Sequence, residues 1–323
     1  MSTPRDVDAK EAAAMLAAAA SVTVLCHVNP DADALGSALG IAIALQRSGI
    51  PVQAAFAAPA ALTESLSSIP GGELLVAATD VAAQVDLLVA VDCGSVDRLG
   101  ALSGRAAQAE QTLVIDHHAS NTHFGDANLV DTAAESTTVL VCDVLDALGV
   151  EIDATLAHCL YAGLVTDTSS FRRARPHTHL MAARFLAAGI DPAAVTRPLM
   201  NSHPFGWLRM LSTVLGAAEL DVAAAGGRGL AYTVVRSADS AGLRAEETES
   251  VVDLVSTASE AEVAAVFKQT APRCWSVSLR ARSEVDVAAV ACTLGGGGHR
   301  LAAGYTAAGA AEEVIAALRQ ALG

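Results

Sequence analysis

The sequence is short of aromatic side chains, which make up 3% of its 323 residues, and short of positive charge, with 20 Lys and Arg against 35 Asp and Glu. The net charge of −15 argues against a protein that coats duplex DNA, because that mode needs many Lys and Arg contacts to phosphate. A short nucleotide held at one local site remains compatible, since carboxylates gathered around divalent cations present less negative charge. No C-x-x-C pair occurs among Cys26, Cys93, Cys142, Cys159, Cys274 and Cys292. Most of these lie in apolar runs, where a free thiol behaves as a small hydrophobe, so a reduced, cytoplasmic compartment is expected. A convincing apolar span of about 20 residues is also missing, which argues against a membrane helix. The segment "EAAAMLAAAASVTVLCHV" (11–28) comes nearest. Its alanines are weak membrane residues, and Asp6, Asp8 and Glu11 beside Arg5 and Lys10 spoil the positive leader of a signal peptide. It reads instead as a helix over about 8–20 and a strand over about 22–27.

What is present is apolar, 52% of the chain, with much of it alanine, which we read as compositional bias. The length exceeds that at which one core usually stops growing, so two domains are expected. In the first half, strand-like runs ("SVTVLCH", "PVQAAFA", "VDLLVAVD", "TLVID") alternate with helical patterns such as "DALGSALGIAIALQRSG", closed by Gly49. "ESTTVLVCDVLDALG" and "DATLAHCLYAGLVTD" continue as helices. This alternation predicts a parallel sheet with helices on both faces over residues 1–190. Residues 191–215, with Pro192, Pro198, Pro204 and Gly206, read as a connecting helical stretch broken by turns. Residues 216–323 read as a smaller α/β unit, with strands at "GLAYTVV", "AEVAAVFKQT" and "CWSVSLRAR" and helices at "AEETESVVDLVSTA", "VDVAAVACTL" and "AAEEVIAALRQAL".

The strands of the first half end in residues that can bind metal. "SVTVLCH" ends at His27, followed by Asp31 and Asp33. "VDLLVAVD" ends at Asp92, and "TLVID" ends at Asp116, followed by His117 and His118. Asp167 closes the helical "LYAGLVTD". In an open parallel sheet the carboxyl ends of the strands line one crevice, so residues distant in sequence meet there. Singly, each has a plainer use: Asp31 and Asp33 fit a turn and a helix cap, Asp92 a strand-end turn, and Asp167 a cap of "TSSF". An EF-hand is excluded, because Leu35 occupies the third ligand position. Together the residues read as one site of clustered carboxylates and imidazoles.

"HVNPDADALGS", "VAVDCGSVDRLG", "VIDHHASN" and "GLVTDTSSF" resemble, in order, the four motifs of the DHH phosphoesterases. "SVSLRARSEVDVAAVACTLGGGGHRLAAGY" resembles the nucleotide-binding motif of the associated DHHA1 domain. The resemblance spans nearly the whole chain and is strongest to the nanoRNase and pAp-phosphatase branch, pAp being 3′-phosphoadenosine 5′-phosphate. Ala32 and Ser169 depart from it, each standing where glycine is common. The resemblance implies two divalent cations. His27 and Asp31 would hold one, Asp33, His117 and Asp167 the other, and Asp92 would bridge them. Mixed carboxylate and imidazole ligation favours Mn²⁺ over Mg²⁺. Asp116 would be a ligand or an orienter, and His118 would contact the scissile phosphate. In the second half, Arg280, Arg282, Gly295, Gly296, Gly297, Gly298, His299 and Arg300 would hold the rest of the substrate, through guanidinium forks and close backbone approach. "FRRARPHTH" (171–179) is either added positive charge near the site or a solvated loop, and Trp207 and Trp275 read as core.

The implied activity is hydrolysis of very short RNAs to 5′-mononucleotides and dephosphorylation of pAp, with cyclic or linear dinucleotides (c-di-AMP, pGpG) as further substrates. A homodimer and no membrane partner are expected. The alternatives are a manganese inorganic pyrophosphatase, disfavoured by the Gly295–Arg300 motif, and a non-catalytic nucleotide-binding regulator, disfavoured by the full set of ligands.

Overall fold

A computed structural model describes residues 4–323. The chain divides into two compact units, one ending at Ser202 and the other running from His203 to Gly323. The division falls within the stretch 191–215 that was read as a connector.

The first unit is built on β1 (Arg5–Asp6), β2 (Val22–Cys26), β3 (Val52–Ala55), β4 (Leu87–Val91), β5 (Gln111–Asp116) and β6 (Ala127–Val130). All five pairings are parallel, in the order β1-β6-β5-β4-β2-β3. β2 and β4 are buried along their whole length, as strands covered on both faces must be. On one face pack α1 (Ala9–Ala18), α2 (Ala32–Arg47), α4 (Thr137–Ala147) and α5 (Ala154–Asp167), which enclose the main core. The other face is covered more thinly. There Leu25, Leu88, Ala90 and Val114 meet Val81, Leu99 and Leu102, which come from loops and short 3-10 turns. A four-residue helix, α3 (Ser103–Ala106), follows those turns. α6 (Pro176–Ala187) and α7 (Pro192–Met200) complete the unit.

Local chemistry explains these elements. α2 starts where the Asp31 carboxylate accepts from the amides of Asp33 and Ala34, both at 3.0 Å, and stops at Ser48 and Gly49, the latter at φ +78°. Fourteen of its residues are buried, from Ala32 to Leu45. It crosses α5 closely because both helices carry glycine at the contact. A Cβ on Gly36 would sit 2.3 Å from the Cys159 carbonyl oxygen, and one on Gly163 would sit 2.5 Å from Asp33 Oδ1.

The second unit contains α8 (Phe205–Gly216), β7 (Glu219–Asp221), the short α9 (Ala224–Gly227), β8 (Leu230–Val235), α10 (Val251–Val255), β9 (Val263–Ala271), β10 (Cys274–Ala281), α11 (Val287–Thr293), β11 (Gly297–His299), β12 (Ala302–Ala308) and α12 (Ala311–Leu322). Its sheet runs β11-β12-β10-β9-β8-β7, with only β8 and β9 parallel. Trp275 is buried in its core, and Trp207 packs at the edge of a second cluster and stacks on His203. Among the described residues no helix is long and apolar enough to cross a membrane.

Candidate metal centre

The strand register assembles the site. Cys26 lies opposite Val91, and Val91 opposite Ile115, so the next residue of each strand, His27, Asp92 and Asp116, falls in one row at the carboxyl edge. The chain leaves β2 for β3 on one side and returns through β4 on the other, so this edge is the topological switch point, where ligands of open α/β sheets bind. Asp92 leaves its strand at φ +55°, a left-handed conformation that costs energy for a non-glycine residue and is found disproportionately at functional sites.

The side chains converge as three groups that share Asp92, the third being Asp92, Asp116 and His118. In the first, His27 Nε2 stands 3.3 Å from Asp92 Oδ2 and 3.9 Å from Asp31 Oδ2. In the second, His117 Nε2 stands 3.7 Å from Asp92 Oδ1, 4.0 Å from Asp33 Oδ2 and 3.3 Å from Asp167 Oδ2. His27 Nδ1 donates to the Val28 carbonyl at 2.8 Å, and His117 Nδ1 lies 3.3 Å from the Ala134 carbonyl. With Nδ1 so engaged, Nε2 of each ring faces the carboxylates and would ligate a cation once its proton is lost, the usual arrangement behind a metal-ligating histidine. Asp33 is fully buried, and its two oxygens accept from the amides of Thr137 (2.7 Å) and Thr138 (2.9 Å) at the start of α4.

Asp116 lies beside both His118 and Asn121. Its Oδ1 is 2.7 Å from His118 Nδ1, and Asn121 Nδ2 donates to its Oδ2 at 2.5 Å. Asn121 also donates to the Cys93 carbonyl, which ties the His118 loop to the end of β4.

The electrostatics fit a cation-binding role. No Lys or Arg side chain lies within ion-pair distance of Asp31, Asp33, Asp92, Asp116 or Asp167 among the described residues; their ionic partners are histidines. Burial pushes the Asp33 and Asp167 carboxyls well above the usual range, and the neighbouring carboxylates push them further. Burial would raise Asp92 as well, but its bond to His27 and the charges of His27, His118 and His117 hold it below the usual range. Burial would lower His118, yet Asp116 and Asp92 lift it to about 9. So many carboxylates cannot all ionise in so small a volume without positive charge. Oxygen and imidazole donors, with no thiolate among them, suit divalent cations of the manganese or magnesium kind.

The arginine-rich run after Asp167 is used within the fold. Arg173 Nη2 donates to the Asp167 carbonyl at 2.6 Å, Arg172 Nε to the Ser169 carbonyl at 3.0 Å, and Arg175 pairs with Glu135 at 2.9 Å. Phe171 packs between Tyr161 and His179, with ring centroids 6.0 and 5.6 Å away.

In the second unit, Arg280 Nε pairs with Asp253 at 2.9 Å, Arg282 Nη1 donates to the Ser259 carbonyl at 2.8 Å, and Arg300 Nη2 to the Glu284 carbonyl at 3.2 Å. The four glycines differ. A Cβ on Gly296 would lie 2.1 Å from the Gly304 carbonyl oxygen, and one on Gly298 would lie 2.6 Å from that of Ala302. Gly295 has φ +82°. Gly297 has neither need, and a Cβ there would meet no atom within 4 Å. His299 lies exposed on the edge strand β11.

Sequence reasoning missed Thr137, Asn121 and Gly163. Asn121 stands within the "DHHASN" string, and Gly163 within "GLVTD", but nothing in either string says what the residue touches.

Comparison with known proteins agrees with this geometry. Residues 21–164 match the model of the DHH family, N-terminal domain, and residues 227–323 match that of the DHHA1 domain. The chain is 31% identical over 312 residues to the bifunctional oligoribonuclease and PAP phosphatase NrnA of Thermus thermophilus, covering 93% of this chain and 90% of that protein. It is 28% identical to a probable bifunctional oligoribonuclease and PAP phosphatase of Streptococcus mutans, over 88% and 89% of the two chains. Its fold resembles that of an exopolyphosphatase-related protein from Bacteroides fragilis, with a TM-score of 0.88, 22% identity, and coverage of 97% and 95%.

Proposed function

The chain belongs to the DHH family of phosphoesterases, with a DHHA1 domain in its second half, and on that premise we propose that this hydrolase uses two divalent cations to release 5′-mononucleotides from very short RNAs and to dephosphorylate pAp. The observation that carries the reading is the pair of histidine–carboxylate groups, around His27 and around His117, that share Asp92. On this reading His27, Asp31 and Asp92 would hold one cation, and Asp33, His117, Asp167 and Asp92 the other, with Mn²⁺ the better match to mixed nitrogen and oxygen donors. Cations so held would supply charge neutralisation at the phosphate and a more acidic water.

The protein's own residues do the rest. His118, kept protonated on Nδ1 by Asp116, turns Nε2 to a phosphate oxygen. Asn121 holds Asp116 in that pose. Arg280, Arg282, Arg300, His299 and the Gly295–Gly298 turn bind the part of the nucleotide remote from the scissile bond. Gly297 is the glycine whose open backbone suits that contact. On the same reading the enzyme works as a cytoplasmic homodimer.

The test is a product assay, by chromatography, on pAp, short RNAs, pGpG, c-di-AMP and pyrophosphate with Mn²⁺. Mononucleotides from dinucleotide-length RNA, and AMP from pAp, are the expected products. Turnover of pyrophosphate alone would overturn the reading in favour of a pyrophosphatase, against which the DHHA1 match weighs. Tight nucleotide binding without any turnover would favour a regulator.

A further inference from the structure

The segment that leads into α4 lies outside the motifs that supply the proposed ligands, yet it touches three of them. The Ala134 carbonyl lies against His117 Nδ1, and the Thr137 and Thr138 amides grip Asp33. In addition, the Thr137 hydroxyl donates to Asp92 Oδ1 at 2.9 Å. Thr137 is fully buried, and Asp92 nearly so. An ionised carboxylate only accepts, so the direction of this bond is fixed.

We propose that Thr137 is a positioning residue of the metal centre, which holds the shared ligand Asp92 with its hydroxyl and Asp33 with its amide. The inference rests on the metal reading above. A carboxylate that would serve two cations has to be held at one rotation. Asp92 Oδ2 faces His27, and Oδ1 faces His117 and His118. The Thr137 hydroxyl occupies one lone pair of Oδ1, stops the carboxylate from swinging, and leaves the other lone pair for a ligand bond. The amide is one of the donors that a helix start leaves unpaired, so the grip on Asp33 takes no bond from α4. Threonine is stiff about χ1, which makes the hydroxyl a fixed strut. One residue thereby sets the relative pose of ligands from β4 and α2.

Thr137→Val keeps the shape and removes the donor; Thr137→Ser keeps the donor. Each metal-free protein is titrated with Mn²⁺ and followed by calorimetry and by the spin-resonance signal of the free ion, beside melting curves without metal. Thr137→Val is expected to weaken Mn²⁺ binding by about 10- to 100-fold, while Thr137→Ser stays within about threefold of wild type. If Thr137→Val does not fold, Thr137→Ala set against Thr137→Ser gives the same contrast. Wild-type affinity in Thr137→Val would overturn the inference alone, as would an equal loss in Thr137→Ser, which would assign the effect to packing of the methyl group. Absence of Mn²⁺ binding by the wild type would overturn the metal reading and this inference with it.

Discussion

His117 and His118 are neighbours in the chain with different surroundings. His117 has Nδ1 against a backbone carbonyl and Nε2 among Asp33, Asp92 and Asp167. His118 has Nδ1 2.7 Å from Asp116 Oδ1 and 3.5 Å from Asp92 Oδ1. His117→Ala should therefore lower Mn²⁺ affinity, and His118→Ala should retain metal and lose kcat. Metal content by mass spectrometry beside kinetics separates the two, and equal metal loss in both would contradict the division. Metal binding should also weaken as pH falls. Burial draws His27 down, but its bond to Asp92 and the Asp31 charge raise it, so a proton competes for Nε2 at higher pH than for an ordinary histidine. Titrations at pH 8 and pH 6 should give the lower affinity at pH 6; a flat profile would contradict His27 as a ligand. These residues were legible in the sequence because each stands at the end of an apolar run, and parallel strands bring such ends to one edge. The contacts of Asp116 with His118 and Asn121 were not legible, since they depend on side-chain rotation.

At the scale of elements, the site depends on how closely α2 and α5 approach. Gly163→Val would drive a side chain into Asp33 and Thr138, and overpacking of this kind costs about 1–3 kcal/mol. A lower melting temperature together with weaker Mn²⁺ binding is expected; a fall in melting temperature with unchanged Mn²⁺ affinity would show that the contact serves the core alone. The turn after α5 stores strain of its own. Ser169, Ser170 and Phe171 have φ of +52°, +58° and +65°, a left-handed turn that costs about 1–2 kcal/mol per residue without glycine. This gives a physical reason why glycine is common at position 169 in the motif that "GLVTDTSSF" resembles. Ser169→Gly should raise the melting temperature in thermal scans, whereas a decrease would mean that the serine side chain stabilises the turn. The long elements, α2, α5, β2, β4 and β5, were readable from periodicity, helix caps and apolar runs. The two-residue β1, β6 and the glycine strand β11 were not, because their hydrogen bonding depends on a neighbouring strand rather than on local pattern. For the same reason the packing need of two glycines in the run, Gly296 and Gly298 against β12, was not legible.

At the scale of the whole molecule, two units and their α/β character followed from length and alternation, while the switch between Ser202 and His203 carried no mark beyond nearby prolines. The proposed division of labour makes a kinetic prediction. Arg280→Ala should cut kcat/KM for a dinucleotide by about ten- to a hundredfold, the loss of a charge-assisted contact, and Gly297→Val should cut it by keeping the backbone from approaching the ligand. They should do far less on a small chromogenic phosphodiester, and equal fractional losses on both substrates would withdraw the recognition role. Gly297 suits this test better than Gly296, since its Cβ has room in the fold. The central claim is that paired cations on a shared Asp92 drive phosphoester hydrolysis. Its most direct test is single-turnover hydrolysis of pAp by wild type and Asp92→Ala, each stripped by chelation and then supplied with Mn²⁺. Wild type should lose activity on stripping and regain it with Mn²⁺, while Asp92→Ala should stay lower by about 10²- to 10³-fold or more at saturating metal. Stripped wild type that keeps its rate, or Asp92→Ala within about tenfold of remetallated wild type, would contradict it.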